Sequence, residues 1–147
     1  PVTMKGYLGQ PLATAEALEP DGWLHTGDLV RQDNDGYLFV VDRLKDLIIT
    51  GGFNIYPAEL ERAIAEHPDV AMVAVGSVPD EDKGELAKAY VVPRPGARLD
   101  IESLDHHCRQ RLAAYKVPRL YQLVEDLPKT STGKVLRRRL RELDAVS

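Results

Sequence analysis

A single cysteine, Cys108, occurs in 147 residues, so an internal disulfide is excluded and a reducing compartment is expected. No apolar run is long enough to span a membrane and nothing reads as a signal peptide, which makes a soluble, cytoplasmic protein the expectation. Strong charge of either sign is missing too: the net is −4 and the pI about 5.6. That gives no general electrostatic reason to bind nucleic acid or anionic lipid. His67, His106 and His107 show no metal-ligand spacing, and no metal site is expected. A phosphate loop of the Walker type is also absent. It would need glycine at 128 and Ser or Thr at 135, where Pro128 and Val135 stand.

What is present divides unevenly. Residues 1 to 42 carry two basic and seven acidic side chains, a net of −5, so the remaining 105 carry +1. Residues 1 to 22, with Pro1, Gly6, Gly9, Pro11, Pro20 and Gly22, hold enough helix formers for only a turn or two at Ala13 to Leu18. They read as the tail of a larger unit upstream. Trp23 to Val30, a turn at Asp33 to Gly36 and Tyr37 to Val41 predict a hairpin. A charged joint follows, Val41-Asp42-Arg43-Leu44-Lys45-Asp46.

Beyond the joint the pattern is regular. Leu47 to Thr50, Gly51-Gly52 and Phe53 to Tyr56 predict a small hairpin. Pro57 at a first helical position, with Leu60 and Ile64 on one face, opens a helix to Glu66. Val70 to Val78 and Leu86 to Val92 are strands around a charged loop from Pro79 to Glu85. A helix capped near Asp100 repeats Leu104, Cys108 and Leu112, Leu120 to Val124 is a strand, and Val135 to Leu143 a last helix. The expected fold class is α+β: a short hairpin and a mostly antiparallel sheet flanked by helices.

Three places carry polar residues that folding alone does not ask for. Thr26-Gly27-Asp28 offers a carboxylate able to hold a vicinal diol such as a ribose, or to bond its own turn. Arg43 and Lys45 stand two apart in the charged joint, and the planar fork of Arg43 suits hydroxyl or phosphate oxygens. In Leu127-Pro128-Lys129-Thr130-Ser131-Thr132-Gly133-Lys134, small hydroxyl residues and glycine make a mobile loop that ends in a lysine before a helix.

Taken together, Gly-Trp-Leu-His-Thr-Gly-Asp-Leu at 22 to 29, Asp-Arg-Leu-Lys-Asp-Leu-Ile-Ile-Thr-Gly-Gly-Phe-Asn-Ile-Tyr-Pro-Ala-Glu-Leu-Glu at 42 to 61 and Pro-Lys-Thr-Ser-Thr-Gly-Lys at 128 to 134 closely resemble the adenylate-forming superfamily. It includes acyl-CoA synthetases, aryl-CoA ligases, adenylation domains and beetle luciferase. The likeness runs along essentially the whole chain and is nearest to fatty-acyl and aryl-CoA ligases.

The resemblance implies that residues 1 to 42 are the last hairpin of a large ATP-binding domain and 43 to 147 a small mobile C-terminal domain, hinged at about 42 to 46. It implies an AMP-forming acid–thiol ligase that activates a carboxylic acid as acyl-AMP and passes it to CoA. ATP and its Mg would be held mainly by the upstream domain, with CoA as co-substrate, and this segment alone would be inactive. Asp28 would hold the ribose hydroxyls, Arg43 would assist there, and Lys45 falls at the hinge. Lys134 would reach the α-phosphate and carboxylate oxygens as the catalytic cation. Gly51 and Gly52 would line the passage for the pantetheine arm, while Lys83 and Lys116 could meet CoA phosphates. Lys83 stands where the family often has tryptophan, which weakens adenine stacking at that loop. Arg137, Arg138, Arg139 and Arg141 read as a solvated basic face. Two alternatives stand beside this: an adenylation domain that loads a carrier protein, and a non-catalytic split βαβ ligand-binding module. An RNA-binding sheet would need aromatics on adjacent strands, where only Tyr90 is available.

Overall fold

The computed structural model describes residues 3–146, the side chains through 144. The chain forms two compact units, Pro1–Lys45 and Asp46–Ser147.

In the first unit, Pro11 opens a short helix α1 (Pro11–Ala17), its fixed φ suited to the first helical position. Strands β1 (Asp28–Gln32) and β2 (Leu38–Arg43) pair antiparallel from Asp28↔Arg43 to Gln32↔Leu38, with a bulge at Leu29/Val30. Asp33 sets the reversal: its Oδ1 accepts the N–H groups of Asp35 and Tyr37 at 3.0 and 2.9 Å, a side chain standing in for a turn carbonyl. The sequence predicts the first strand from Trp23, but pairing begins only at Asp28. Gly27 has φ +72°, a left-handed conformation that ends the irregular approach.

The second unit is a mixed five-stranded sheet: β3 (Ile48–Thr50), β4 (Phe53–Ile55), β5 (Val70–Asp80), β6 (Gly84–Pro93) and β7 (Leu120–Leu123). The order is β4-β3-β6-β5, all antiparallel, and β7 joins β6 in parallel. β5 and β6 run longer than their apolar cores predict, because Asp80 Oδ1 accepts the N–H groups of Asp82 and Lys83 and tightens the expected loop into a turn.

Strand alternation sorts the core onto two faces. Val75 on β5 with Ala87, Ala89 and Val91 on β6 point to one face, where Leu60 and Ile64 of α2 (Pro57–Ala65) and Leu104 and Cys108 of α3 (Ile101–Arg111) cover them. Leu60, Ile64 and Leu104 are fully buried, each stabilising the fold by about 1.5–3 kcal/mol. Asp100 caps α3 by accepting from Ser103 N–H at 2.8 Å. Burial pushes the Cys108 thiol above its ordinary range, so it packs as a small apolar group. On the opposite face Ala74, Tyr90 and Val92 meet Leu127 and Leu140. Tyr90 is 1% exposed and offers no ring face to a base.

Leu140 belongs to a C-terminal segment, Arg137–Val146, that forms 3₁₀ turns where the sequence predicts an α-helix. Three residues per turn eclipse Arg137, Leu140 and Leu143 on the side facing the sheet. Arg137 is therefore not part of a solvated basic face. Its guanidinium binds Glu61 and Asp46. Among the described residues no helix is long and apolar enough to cross a membrane.

Candidate functional site

The hairpin of the first unit brings Asp28 and Arg43 together, because they are cross-strand partners. Arg43 Nε lies 3.1 Å from Asp28 Oδ1, with the carboxylate side chain 26% and the guanidinium side chain 56% exposed. Such an ion pair adds only about 0–1 kcal/mol to stability. Chemically, such a carboxylate can accept hydrogen bonds from two hydroxyls while the adjacent guanidinium donates to the hydroxyl oxygens. Asp28 N–H is tied to Thr26 Oγ1 at 3.2 Å and Leu44 N–H to Gly27 O at 2.8 Å, which holds both ends of the pair. A recess of about 310 Å³, lined by Thr26, Gly27, Arg43, Leu44 and Lys45, opens beside it. Lys45 is the middle residue of a 3₁₀ turn, Leu44–Asp46.

In the second unit Lys134 sits on a closed turn. The sequence suggests a mobile loop, but Thr130 N–H donates to Lys134 O (2.8 Å), Gly133 N–H to Thr130 O (2.9 Å) and Leu136 N–H to Pro128 O (2.8 Å). Thr130 Oγ1 accepts Lys134 N–H at 3.1 Å, and Lys129 and Val135 bridge across the base. Thr130 is the position that sequence reading passed over. Its hydroxyl stands in for a backbone acceptor, the local bonding that makes Ser and Thr favoured in turns. Lys129 is paired with Asp126. The exposed Lys134 ammonium, by contrast, has no ion-pair partner among the described residues.

Gly51 and Gly52 form the β3–β4 turn with φ +54° and +83°, the left-handed pair that a two-residue hairpin requires. A Cβ at either would meet nothing within 4 Å, so backbone conformation, not close packing within this chain, is what asks for glycine here. Gly51 N–H donates to Lys83 O at 3.0 Å. Lys83 and Gly51 line a recess of about 260 Å³ together with Phe53, Tyr115 and Arg119. Phe53 and Tyr115 stack at 4.7 Å, so an aromatic wall stands beside Lys83 although that position itself is not tryptophan. Tyr115 and Arg119 were not singled out by the sequence; the aromatic preceding Lys116 was the available signal. Lys116 is not a free cation: Glu59 Oε1 and Oε2 accept from its ammonium at 2.7 and 2.8 Å, and this bond raises its pKa. No cluster of three or more His, Cys, Asp or Glu suited to a metal ion occurs among the described residues.

Residues 59–134 match the model of the AMP-binding enzyme C-terminal domain, and the chain belongs to that family. It is 51% identical over 142 residues to a long-chain-fatty-acid–CoA ligase of Bacillus subtilis, covering 97% of this chain and 25% of that protein. It is 52% identical over 141 residues to a feruloyl-CoA synthase of Amycolatopsis, covering 96% and 28%. The solved o-succinylbenzoate-CoA synthetase of Bacillus subtilis, in complex with its acyl-adenylate intermediate, superposes with a TM-score of 0.87 at 40% identity, over 95% of this chain and 28% of that one. The chain thus spans about a quarter of the length of the relatives it matches.

Proposed function

We propose that this chain is the C-terminal part of an AMP-forming acyl-CoA synthetase, in which residues 1–42 complete a large upstream domain and the rest moves against it about Lys45. The observation that carries the reading is Lys134, an exposed ammonium without an ion-pair partner among the described residues, its backbone fixed by the Thr130 turn. A carboxylate attacking the α-phosphate of ATP brings two anions together. A cation held in place before reaction stabilises that charge, an effect typically worth about 2.7–4 kcal/mol for one donor. Asp28, with Arg43 donating beside it, suits the two ribose hydroxyls of ATP and of the acyl-adenylate.

Because Lys134 rides on the moving part, it serves one step only. After adenylation the domain turns, Lys134 leaves, and the Gly51-Gly52 hairpin faces the reacting carbonyl. The adjoining recess, with Lys83, Arg119 and the Phe53–Tyr115 stack, suits the nucleotide end of CoA: a ring face for a base and two cations for phosphates. Lys116, neutralised by Glu59, is the weaker candidate for those phosphates. Mg would accompany ATP and be held mainly by the upstream domain. The substrate is a fatty or aromatic carboxylic acid and the compartment the cytoplasm.

The test separates the two half-reactions in the full-length protein. Lys134→Ala is expected to lower acid-dependent ATP–pyrophosphate exchange by about 10²–10³-fold and to leave thioester formation from supplied acyl-adenylate intact. Equal loss in both steps would refute the assignment.

A further inference from the structure

We infer that Arg137 is a positioning residue for Lys134, clamping the turn that carries it to Asp46 and to helix α2. The inference rests on the reading of Lys134 above and adds a residue which that reading does not use. Arg137 Nη2 and Nε donate to the two oxygens of Glu61 at 2.6 and 3.3 Å, and Nη1 donates to Asp46 Oδ2 at 3.3 Å. Glu61 is itself fixed, because its Oε1 also accepts Val75 N–H from β5 at 2.9 Å. All three charged side chains are about three-quarters buried, so the fork is shielded and directional.

The chain between Lys134 and Arg137 has no slack. Val135 bridges Lys129 and Leu136 N–H is bonded to Pro128 O, while Leu140 anchors the following turn in the core. Asp46 directly follows Lys45. A guanidinium that grips Asp46 and Glu61 at once therefore makes the start of the small unit, α2 and the Lys134 turn one rigid arm, so rotation at Lys45 delivers the ammonium without lag. Lysine cannot replace it, because a point charge does not span both carboxylates.

Arg137→Lys and Asp46→Asn are compared in the full-length protein through both half-reactions and the melting temperature. Arg137→Lys is expected to lower the kcat of adenylation by about 10²-fold, the order that a 1 Å misplacement costs, with the KM for ATP and thioester formation from supplied acyl-adenylate unchanged. Asp46→Asn, which keeps the Glu61 fork, is expected to show a smaller loss confined to the same step, and it decides the question if Arg137→Lys does not fold. Undiminished adenylation in these variants, or equal loss in both steps with a lowered melting temperature, overturns the inference. Lys134→Ala run alongside separates the two levels. If it retains adenylation, the reading of Lys134 falls and this inference with it; if Lys134→Ala is defective while the Arg137 and Asp46 variants are normal, only the clamp is wrong.

Discussion

Removing Asp144 should destabilise the small unit more than removing the hydroxyl it holds. Asp144 accepts from Tyr90 Oη at 3.0 and 3.2 Å and from Lys88 Nζ at 2.7 Å, tying the C-terminal 3₁₀ segment to β6. Tyr90 is 1% exposed. In Asp144→Ala its hydroxyl is left buried without that acceptor, at about 1–3 kcal/mol. The Lys88 side chain, 15% exposed, also loses its counter-ion, but Asp144 is 34% exposed, so screening holds that contribution to about 0–1 kcal/mol. The total is about 1–4 kcal/mol. Tyr90→Phe deletes the donor and leaves Asp144 with Lys88 and water, at about 1 kcal/mol. Asp144→Asn keeps an acceptor and should resemble Tyr90→Phe. Urea unfolding reads the difference as a shift in midpoint at constant slope, and thermal unfolding as about 2–4 °C per kcal/mol at this chain length. A neutral Asp144→Ala, or a Tyr90→Phe that costs as much, would show that the carboxylate does not hold the segment.

The same pair sets an alkaline limit. Burial first, and then the bond to Asp144, push the Tyr90 hydroxyl well above its ordinary value of 10.0. The protonated form is therefore favoured in the fold, so its contribution is complete below about pH 10 and is lost as pH rises from there, at about 1.4 kcal/mol per pH unit. Melting temperatures recorded across that range should fall less steeply in Tyr90→Phe than in wild type; parallel curves would contradict this. Lys45→Pro should slow overall turnover at least tenfold while each unit stays folded, because proline suits the φ of a 3₁₀ turn but restricts rotation there. Normal steady-state turnover by that variant would exclude Lys45 as the hinge.

Local signals carried much of the fold. Pro57 with Leu60 and Ile64, Asp100 before a four-residue repeat, and Gly51-Gly52 between β-branched runs each have a short-range cause, and each forms where the sequence places it. What distant partners decide was not legible. Nothing in Arg137-Arg138-Arg139 marks the first of the three as buried against Glu61, because that follows from a three-residue period imposed by docking Leu140 and Leu143 on the sheet. Lys116 likewise reads as a free cation until α2 brings Glu59 beneath it. Asp28 and Arg43 were recognisable as candidates, yet their contact depends on the register of a hairpin with a bulge. Thr130 went unremarked because a hydroxyl that closes a turn looks no different in sequence from one that faces water.

The sheet itself divides along one side of β6. β3 meets it only at Gly84, through Thr50, and β7 takes over at Lys88, so the strand edge between them is left without a ladder partner. The 260 Å³ recess opens at that fork, between Thr50, Lys83, Ala87 and Arg119. Ladder bonds from Ile49 and Ile48 to that edge would close the gap and narrow the hollow. This unit gives up sheet continuity at one place, and the space that results is where its aromatic wall and two of its cations converge.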